Sequence, residues 1–195
     1  RGWLSVCIYL LLGTLVTKIG YKNKASRGIA EARGGRRGPE NVWGSAATGC
    51  SLALFSCIWP NSLTLFMVGF ASSFAAKLSD TFSSEIGKRF GKRTFLITTL
   101  KAVEPGTEGA ISLEGSLAAL LGSLIMTLVM YSLSIISGLS VIFIVFISGC
   151  LATILESYIG AVIQNKIDYM TNELVNSIQT SLAAIISIFL YLNFI

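Results

Sequence analysis

The sequence contains no histidine and few charged residues. Of its 195 residues, 13% are charged and 53% are hydrophobic, whereas a typical soluble domain has about 25% charged residues. The lack of histidine excludes a Ser-His-Asp triad, histidine acid–base catalysis and any histidine-ligated metal. The low charge excludes an ordinary soluble domain, because so much apolar surface would aggregate in water. A lipid bilayer is the solvent that suits this composition.

The cysteines and the net charge give little information about function. Cys7, Cys50, Cys57 and Cys150 lie within apolar stretches, form no CxxC pair and match no zinc or redox spacing. They are typical of small hydrophobic residues that pack against helices or lipid. The net charge of +5 is what basic loops beside membrane spans produce, so we expect no nucleic-acid partner.

Six apolar stretches approach the roughly 20 residues that a helix needs to cross the hydrocarbon core. Such segments must be helical, since lipid cannot satisfy their backbone groups. We therefore predict an all-α polytopic transmembrane bundle that forms a single integral membrane domain over residues 1–195. Because the chain begins at Arg1 rather than at methionine, we also expect further N-terminal sequence. The predicted spans lie near residues 3–17, 42–59, 62–79, 115–133, 139–156 and 174–195.

Alternating spans place nearly all charged residues on one face of the membrane. Fourteen of the 15 basic residues map there, with Arg1 opposite, and the positive-inside rule makes this face cytosolic or stromal. All ten acidic residues map to the same face, although that rule does not govern them. The opposite loops, near 60–64 and 132–140, carry no charge. This concentration predicts a polar active face.

The segment 77–89, where the third span ends, contains the strongest candidate site. On a helix, Asp80 and Ser84 are four residues apart on one face, and Glu85 lies in the adjacent row. Carboxylates and hydroxyls form the oxygen-rich ligand set that Mg²⁺ prefers, and acidic groups at membrane depth are functional candidates. The pattern predicts catalytic roles for all three residues, with Asp80 and Glu85 as metal ligands. The alternative is a solvated helix end that pairs with the basic residues following it.

A glycine-rich segment, 104–115, leads into the fourth span. Gly106 and Gly109 permit positive φ and a close backbone approach to a ligand, and Thr107 and Ser112 add hydroxyl groups. Together with the N-terminus of the next helix, these residues form a candidate phosphate cradle. The segment is not a Walker A loop, because the required Gly-Lys-Ser/Thr is missing. A plain interfacial turn is equally compatible.

Basic and amide side chains supply further candidate phosphate ligands. Arg36 and Arg37 belong to a basic loop, where guanidinium groups would bind either a substrate phosphate or lipid headgroups. Asn172 and Asn176 lie one helical turn apart and would address either one ligand or one partner helix. Lys101 is the remaining basic candidate. These groups suit phosphoryl transfer, which depends on positioned cations and needs no histidine.

The motifs taken together resemble a known membrane family, the one that includes phytyl-phosphate kinase of plants and cyanobacteria. The similarity extends over nearly the whole chain, including the basic segment 22–42. It rests on four runs that follow in family order: Asp80-Thr-Phe-Ser-Ser-Glu-Ile-Gly87, Pro105-Gly-Thr-Glu-Gly-Ala110, Glu156-Ser-Tyr-Ile-Gly-Ala-Val-Ile-Gln164 and Asn172-Glu-Leu-Val-Asn176.

The resemblance implies phosphorylation of phytyl phosphate, or a related prenyl phosphate, to the diphosphate for tocopherol synthesis. It also implies Mg²⁺, a nucleoside triphosphate (CTP or ATP), and a plastid or cyanobacterial membrane. Glu156 stands where many members have aspartate and is the third expected metal ligand. The expected partners are membrane lipid and the prenyl phosphate, and an oligomer or larger complex is left open. The alternatives are a lipid or anion transporter and a non-catalytic subunit of a larger membrane complex.

Overall fold

The structure, a computed structural model, describes residues 1–36, 38–164, 167 and 169–195. This part of the chain is a helical bundle with one small antiparallel sheet. A 3₁₀ turn, Pro60–Ser62, precedes the fifth helix, and a π-helical turn, Gly160–Gln164, extends the seventh. The elements in chain order are α1 (Gly2–Lys18), α2 (Tyr21–Ser26), α3 (Ala32–Gly35), α4 (Pro39–Ile58), α5 (Leu63–Phe90), β1 (Thr94–Leu96), β2 (Ala110–Ser112), α6 (Leu113–Ser132), α7 (Leu139–Ile159) and α8 (Asn172–Phe194).

The six predicted apolar stretches coincide with helices α1, α4, α5, α6, α7 and α8, and no predicted stretch extends more than one residue past its helix. In the described residues, four helical segments are long and apolar enough to cross a membrane: Pro60–Phe90, Leu113–Ser132, Leu139–Gln164 and Asn172–Phe194. The apolar helices Gly2–Lys18 and Val42–Ile58 are shorter. The prediction of an integral membrane helical bundle is therefore confirmed, with four spans of full length among the six stretches.

Helix α5 is the centre of the bundle and packs against α1, α4, α6, α7 and α8. It is buried continuously from Val68 to Ser79, and most residues in that run are small. Small residues let neighbouring backbones approach closely, as membrane helices require in the absence of a hydrophobic driving force between them. At Gly122 of α6, an added Cβ would lie 2.7 Å from the carbonyl oxygen of Leu78. Glycine is therefore the residue that fits this α5–α6 crossing.

The outward faces of the helices are apolar and exposed. Leucine, isoleucine and phenylalanine side chains occupy them, which is the surface that lipid tails solvate. Examples are Leu11, Leu54, Leu121, Phe143, Ile154 and Phe189. Many polar side chains are instead buried within the bundle, for example Ser72 and Gln179.

The segment between α5 and α6 forms a small β-hairpin that the all-α prediction did not include. Strands β1 and β2 are antiparallel, with Thr94 opposite Ser112 and Leu96 opposite Ala110. Thr94 and Phe95 in β1 and Ile111 in β2 are β-branched or aromatic residues, which suit a short sheet. At the end of β2, the Ser112 side chain accepts a hydrogen bond from the Gly115 N–H at 3.1 Å and caps α6. The hairpin thereby holds the glycine-rich loop against the ends of the helices.

Candidate active site

A buried lysine inside the membrane bundle anchors the candidate site. Lys77 on α5 is 2% exposed. Its ammonium group donates to the Asp80 carboxylate at 2.6 Å and to the Asn176 side-chain oxygen on α8 at 2.7 Å. A cation is costly at this depth unless it is paired, and such groups are functional candidates by default. The contacts bring the C-terminal half of α5 and the start of α8 to one polar point.

A cavity of about 300 Å³ opens from this point at the charged end of the bundle. It lies where α5 and α7 end and where α6 and α8 begin, and the hairpin loop and the segment before α3 close it. Most of the predicted site residues line it. The lining residues used below are Glu31, Lys77, Asp80, Ser84, Glu85, Lys88, Gly106, Thr107, Glu108, Gly109, Ser112, Glu156, Asn172 and Asn176.

Three carboxylates from separate elements interact across the cavity: Asp80 on α5, Glu108 in the hairpin loop and Glu156 on α7. Burial raises the pKa of the Glu108 carboxyl above its usual value; the neighbouring Lys88 partly offsets this rise, and Asp80 adds to it. Like charges in a partly dry site repel each other. The arrangement therefore favours a bound cation or proton.

Glu85 has a different environment from the one predicted. It is 3% exposed and forms an ion pair with Lys24 of α2, whose side chain is fully buried. Lys24 also donates to the backbone oxygen of Thr17 at 2.9 Å. The lysine already compensates this carboxylate, so Glu85 serves to hold α2 against α5. The structure thus shows Glu85 in an ion pair with Lys24, whereas the sequence pattern predicted a carboxylate free to ligate a metal.

The predicted metal set is also not gathered as three ligands around one point. Among the described residues, no group of three or more histidine, cysteine, aspartate or glutamate side chains is placed to hold one metal ion. Asp80 and Glu156 remain at the cavity as interacting carboxylates, while Glu85 is held by Lys24. Any ion here would have one or two protein carboxylates and would complete its shell from water or phosphate.

The glycine-rich loop adopts the backbone conformations expected for its glycines. Gly106 and Gly109 have φ of +95° and +74°, values that residues with a Cβ rarely adopt. A Cβ on Gly109 would collide with Ala161 and would lie 2.5 Å from the carbonyl oxygen of Ser157. The loop is therefore pressed against the end of α7 while it lines the cavity. Its glycines have a packing role as well as the predicted position at the site.

Other predicted site residues divide into two groups. Ser84, Thr107, Ser112, Asn172 and Asn176 all line the cavity, although Ser112 is also the cap of α6. The second group lies elsewhere: Arg36 and Lys101 are exposed and do not line the cavity, and Arg37 falls outside the described residues.

Lys77, Lys88, Glu31 and Glu108 line the cavity but were not predicted as site residues. Lys77 could have been predicted from the sequence as a functional residue, because it is an ionisable residue inside an otherwise apolar span. Glu108 lies between the two predicted glycines. Glu31 lies 32 residues before the start of α5 in the sequence, so nothing in its local pattern indicates that it reaches the cavity.

Comparisons with known proteins identify a family. The family model described as integral membrane protein DUF92 matches residues 1–184. An uncharacterized membrane protein of Synechocystis sp. is 49% identical over 189 residues, which is 96% of this chain and 73% of that protein. The Arabidopsis thaliana protein named "Protein VTE6, chloroplastic" is 45% identical over 96% of this chain, which spans 57% of that protein's length.

A more distant relative extends the comparison to archaea. An uncharacterized membrane protein of Methanocaldococcus jannaschii is 33% identical over 94% of this chain and 73% of that protein. No solved structure matches the chain. The matches confirm the family resemblance found in the sequence, and the Synechocystis and chloroplastic relatives agree with a cyanobacterial or plastid membrane.

Proposed function

The chain belongs to the integral membrane protein family DUF92, and on that premise we propose that it is a membrane kinase. Its substrate would be phytyl phosphate or a related prenyl phosphate, which it converts to the diphosphate with a nucleoside triphosphate. The observation that carries the proposal is the cavity in which Lys77, Asp80, Glu156 and Asn176, from three membrane helices, meet the Gly106–Gly109 loop.

The position of the cavity suits an amphiphilic substrate. It is polar and lies at the charged end of a bundle whose outer surface is apolar. A prenyl tail can stay in the bilayer while its phosphate enters the cavity, and a nucleotide reaches the same cavity from water. The one-sided distribution of all ten acidic residues agrees with chemistry confined to this face.

The proposed reaction needs little covalent chemistry from the protein. An oxygen of the prenyl phosphate forms a bond to the γ-phosphorus, and the bond from that phosphorus to the nucleoside diphosphate breaks, with the electron pair leaving on the nucleotide. The attacking phosphate is already anionic near neutral pH, so it requires no strong base. Catalysis then depends on positioning and on charge stabilisation, which is compatible with a sequence without histidine.

Charge balance supports the involvement of Mg²⁺. Among the described lining residues, four carboxylates besides the Lys24-paired Glu85 share the cavity with two lysines, Lys77 and Lys88; the four are Glu31, Asp80, Glu108 and Glu156. A polyphosphate would be repelled by this lining without added cations. Mg²⁺ is commonly held by one or two carboxylates together with substrate phosphates and water, which fits Asp80 and Glu156. When bound, the ion would neutralise charge on the transferred phosphoryl group.

The relatives support the choice of substrate class. One is a membrane protein of Synechocystis sp. and another is chloroplastic by name, and photosynthetic membranes are where the resemblance places phytyl phosphate and tocopherol synthesis. We propose CTP or ATP as the donor. The Gly106–Gly109 loop and Lys88, on the aqueous side, are the groups proposed to contact its phosphates.

The direct test is an assay of purified protein with phytyl phosphate, Mg²⁺ and either CTP or ATP, with the diphosphate detected by mass spectrometry. Asp80→Asn should lower turnover by about 100-fold or more, the usual effect of removing one electrostatic contact from an active site. Glu104→Gln is the matched control, because Glu104 is exposed and lies outside the cavity lining.

Full activity in Asp80→Asn would reject this site. Absence of product with either donor would reject the activity, and nucleotide-independent flux in proteoliposomes would favour a transporter.

A further inference from the structure

We propose that Lys77 binds the phosphate of the lipid acceptor and that Lys88, at the outer end of the same cavity, binds the nucleotide. This inference rests on the proposed function and divides the cavity into a deep lipid-phosphate subsite and a shallow nucleotide subsite. The observation behind it is that the two lysines of the described lining lie on one helix at very different depths.

The depth follows from the geometry of α5. The helix begins at Leu63 on the uncharged side, directly after the Pro60–Ser62 turn. At 1.5 Å per residue, Lys77 lies roughly 21 Å along the helix and Lys88 roughly 37 Å, against a hydrocarbon thickness of about 30 Å. Lys77 is therefore still within hydrocarbon depth, whereas Lys88 has passed the boundary.

This separation matches the two substrates. A prenyl tail stays in the hydrocarbon, because burying it is favourable at about 0.8 kcal/mol per CH₂, so its phosphate meets the deeper part of the cavity, where Lys77 is the lining cation. A nucleotide arrives from water and meets Lys88 first. The half-buried Lys88 lies beside Glu108 of the glycine-rich loop. The roughly 16 Å along the helix between the two lysines leaves room for two phosphate-bearing ligands in line.

Lys77 is also prepared to bind an anion. An ammonium group has three donors, and in the described part of the chain two of them are used, by Asp80 and Asn176. These two partners hold the side chain in place on the wall of the cavity, so little conformational entropy is lost when a ligand arrives. One N–H is left for a phosphate oxygen. Lys77 would act by its charge and its position.

The test measures binding without turnover, in nanodiscs of neutral lipid. The probes are phytyl monophosphate, the uncharged alcohol phytol and a non-hydrolysable nucleoside triphosphate with Mg²⁺. Lys77→Gln should weaken phytyl monophosphate binding by about tenfold or more, as expected for a lost charge-assisted hydrogen bond. It should leave phytol and nucleotide binding within about threefold, a difference of less than about 0.7 kcal/mol. Lys88→Gln should show the reverse pattern.

Two further variants separate binding from folding. Lys77→Gln leaves the Asp80 carboxylate without its cation. The double variant Lys77→Gln/Asp80→Asn replaces both charged groups by neutral ones. Lys77→Arg keeps the positive charge and tests whether it restores binding. Lys92→Gln removes an exposed lysine four residues after Lys88, beyond the end of α5, and is the control for loss of charge on this face.

The outcomes distinguish this inference from the proposed function. Unchanged monophosphate binding in both Lys77→Gln variants would overturn the inference, as would equal loss of lipid and nucleotide binding. Selective loss of monophosphate binding in a protein that forms no diphosphate with any donor would support the lipid-phosphate subsite while rejecting the kinase.

Discussion

Lys24 and Glu85, 61 residues apart in sequence, form a buried ion pair that fastens the segment after α1 to the site helix α5. The same segment continues to Glu31, which lines the cavity and whose backbone oxygen accepts a hydrogen bond from the Tyr21 hydroxyl at 2.9 Å. Arg27 donates to the Lys88 carbonyl at 3.2 Å. The basic segment is thus part of the wall of the site, in addition to any effect of its charge on topology.

Breaking this ion pair on one side should destabilise the protein strongly. Lys24→Met leaves Glu85 buried without a partner, and a lone buried charge of this kind costs about 3–5 kcal/mol. Lys24→Met/Glu85→Leu removes both charges and should recover most of the loss, because the penalty comes from the unpaired group. Thermal unfolding in detergent measures both effects, and Lys22→Met, an exposed lysine on the same helix, is the control. Equal stability of the single variant and the control would contradict the assignment.

The glycine at the end of the hairpin loop gives a second stability prediction. Gly109→Ala places a methyl group against Ala161 and Ser157 and also forces alanine into positive φ. Gly28→Ala has the same backbone strain, with φ of +71°, but open space around the new methyl group. The strain alone costs about 1–2 kcal/mol, so Gly109→Ala should be the more destabilising of the two by thermal unfolding. It should also impair turnover, since the loop lines the cavity. Equal destabilisation would mean that the loop moves away from α7 at little cost.

The raised pKa of Glu108 predicts how its replacement depends on pH. Burial favours the protonated form in the folded state, with Lys88 opposing and Asp80 reinforcing the rise. Below the unfolded pKa both states hold the proton, and the group does not affect stability. As the pH rises, the unfolded chain ionises more readily than the folded protein, so Glu108 lowers stability. Glu108→Gln, which cannot ionise, should therefore unfold at a higher temperature than the unmodified protein near neutral pH.

That difference should disappear at about pH 4, where glutamate is largely protonated in both states. The comparison is made by thermal unfolding in detergent with a chelator present, so that no metal compensates the carboxylate. Glu104→Gln removes an exposed charge from the same loop and is the matched control. A stabilisation that is equal at both pH values would show that it arises from packing rather than from ionisation.

The helices could be predicted from the sequence because hydropathy acts locally, and all six apolar stretches are helical. The cavity could be predicted in outline for the same reason, since alternating spans brought Asp80, Glu156 and Asn172 to one face. Pairings between distant segments could not. The partner of Glu85 lies in another helix, and a carboxylate that looks free in sequence is neutralised by Lys24 in the fold. Lys77 begins the candidate segment 77–89, but the partner that holds it in the cavity, Asn176, lies 99 residues away in the sequence.

The excess of carboxylates in the cavity predicts a strict requirement for a divalent cation. Among the described lining residues, four carboxylates not paired with Lys24 face two lysines, so a nucleoside triphosphate should bind poorly once free metal is chelated. We expect EDTA to abolish diphosphate formation and added Mg²⁺ to restore it.

Glu156→Gln should raise the Mg²⁺ concentration for half-maximal turnover by about tenfold or more, the scale on which groups at a metal site affect affinity. Glu114→Gln, outside the cavity lining at the first turn of α6, should leave that concentration unchanged. Equilibrium dialysis of the nucleotide with and without Mg²⁺ checks the cause directly. Equal nucleotide binding in EDTA would mean that the lysines neutralise the polyphosphate unaided, and the assignment of Asp80 and Glu156 to a cation would then fail.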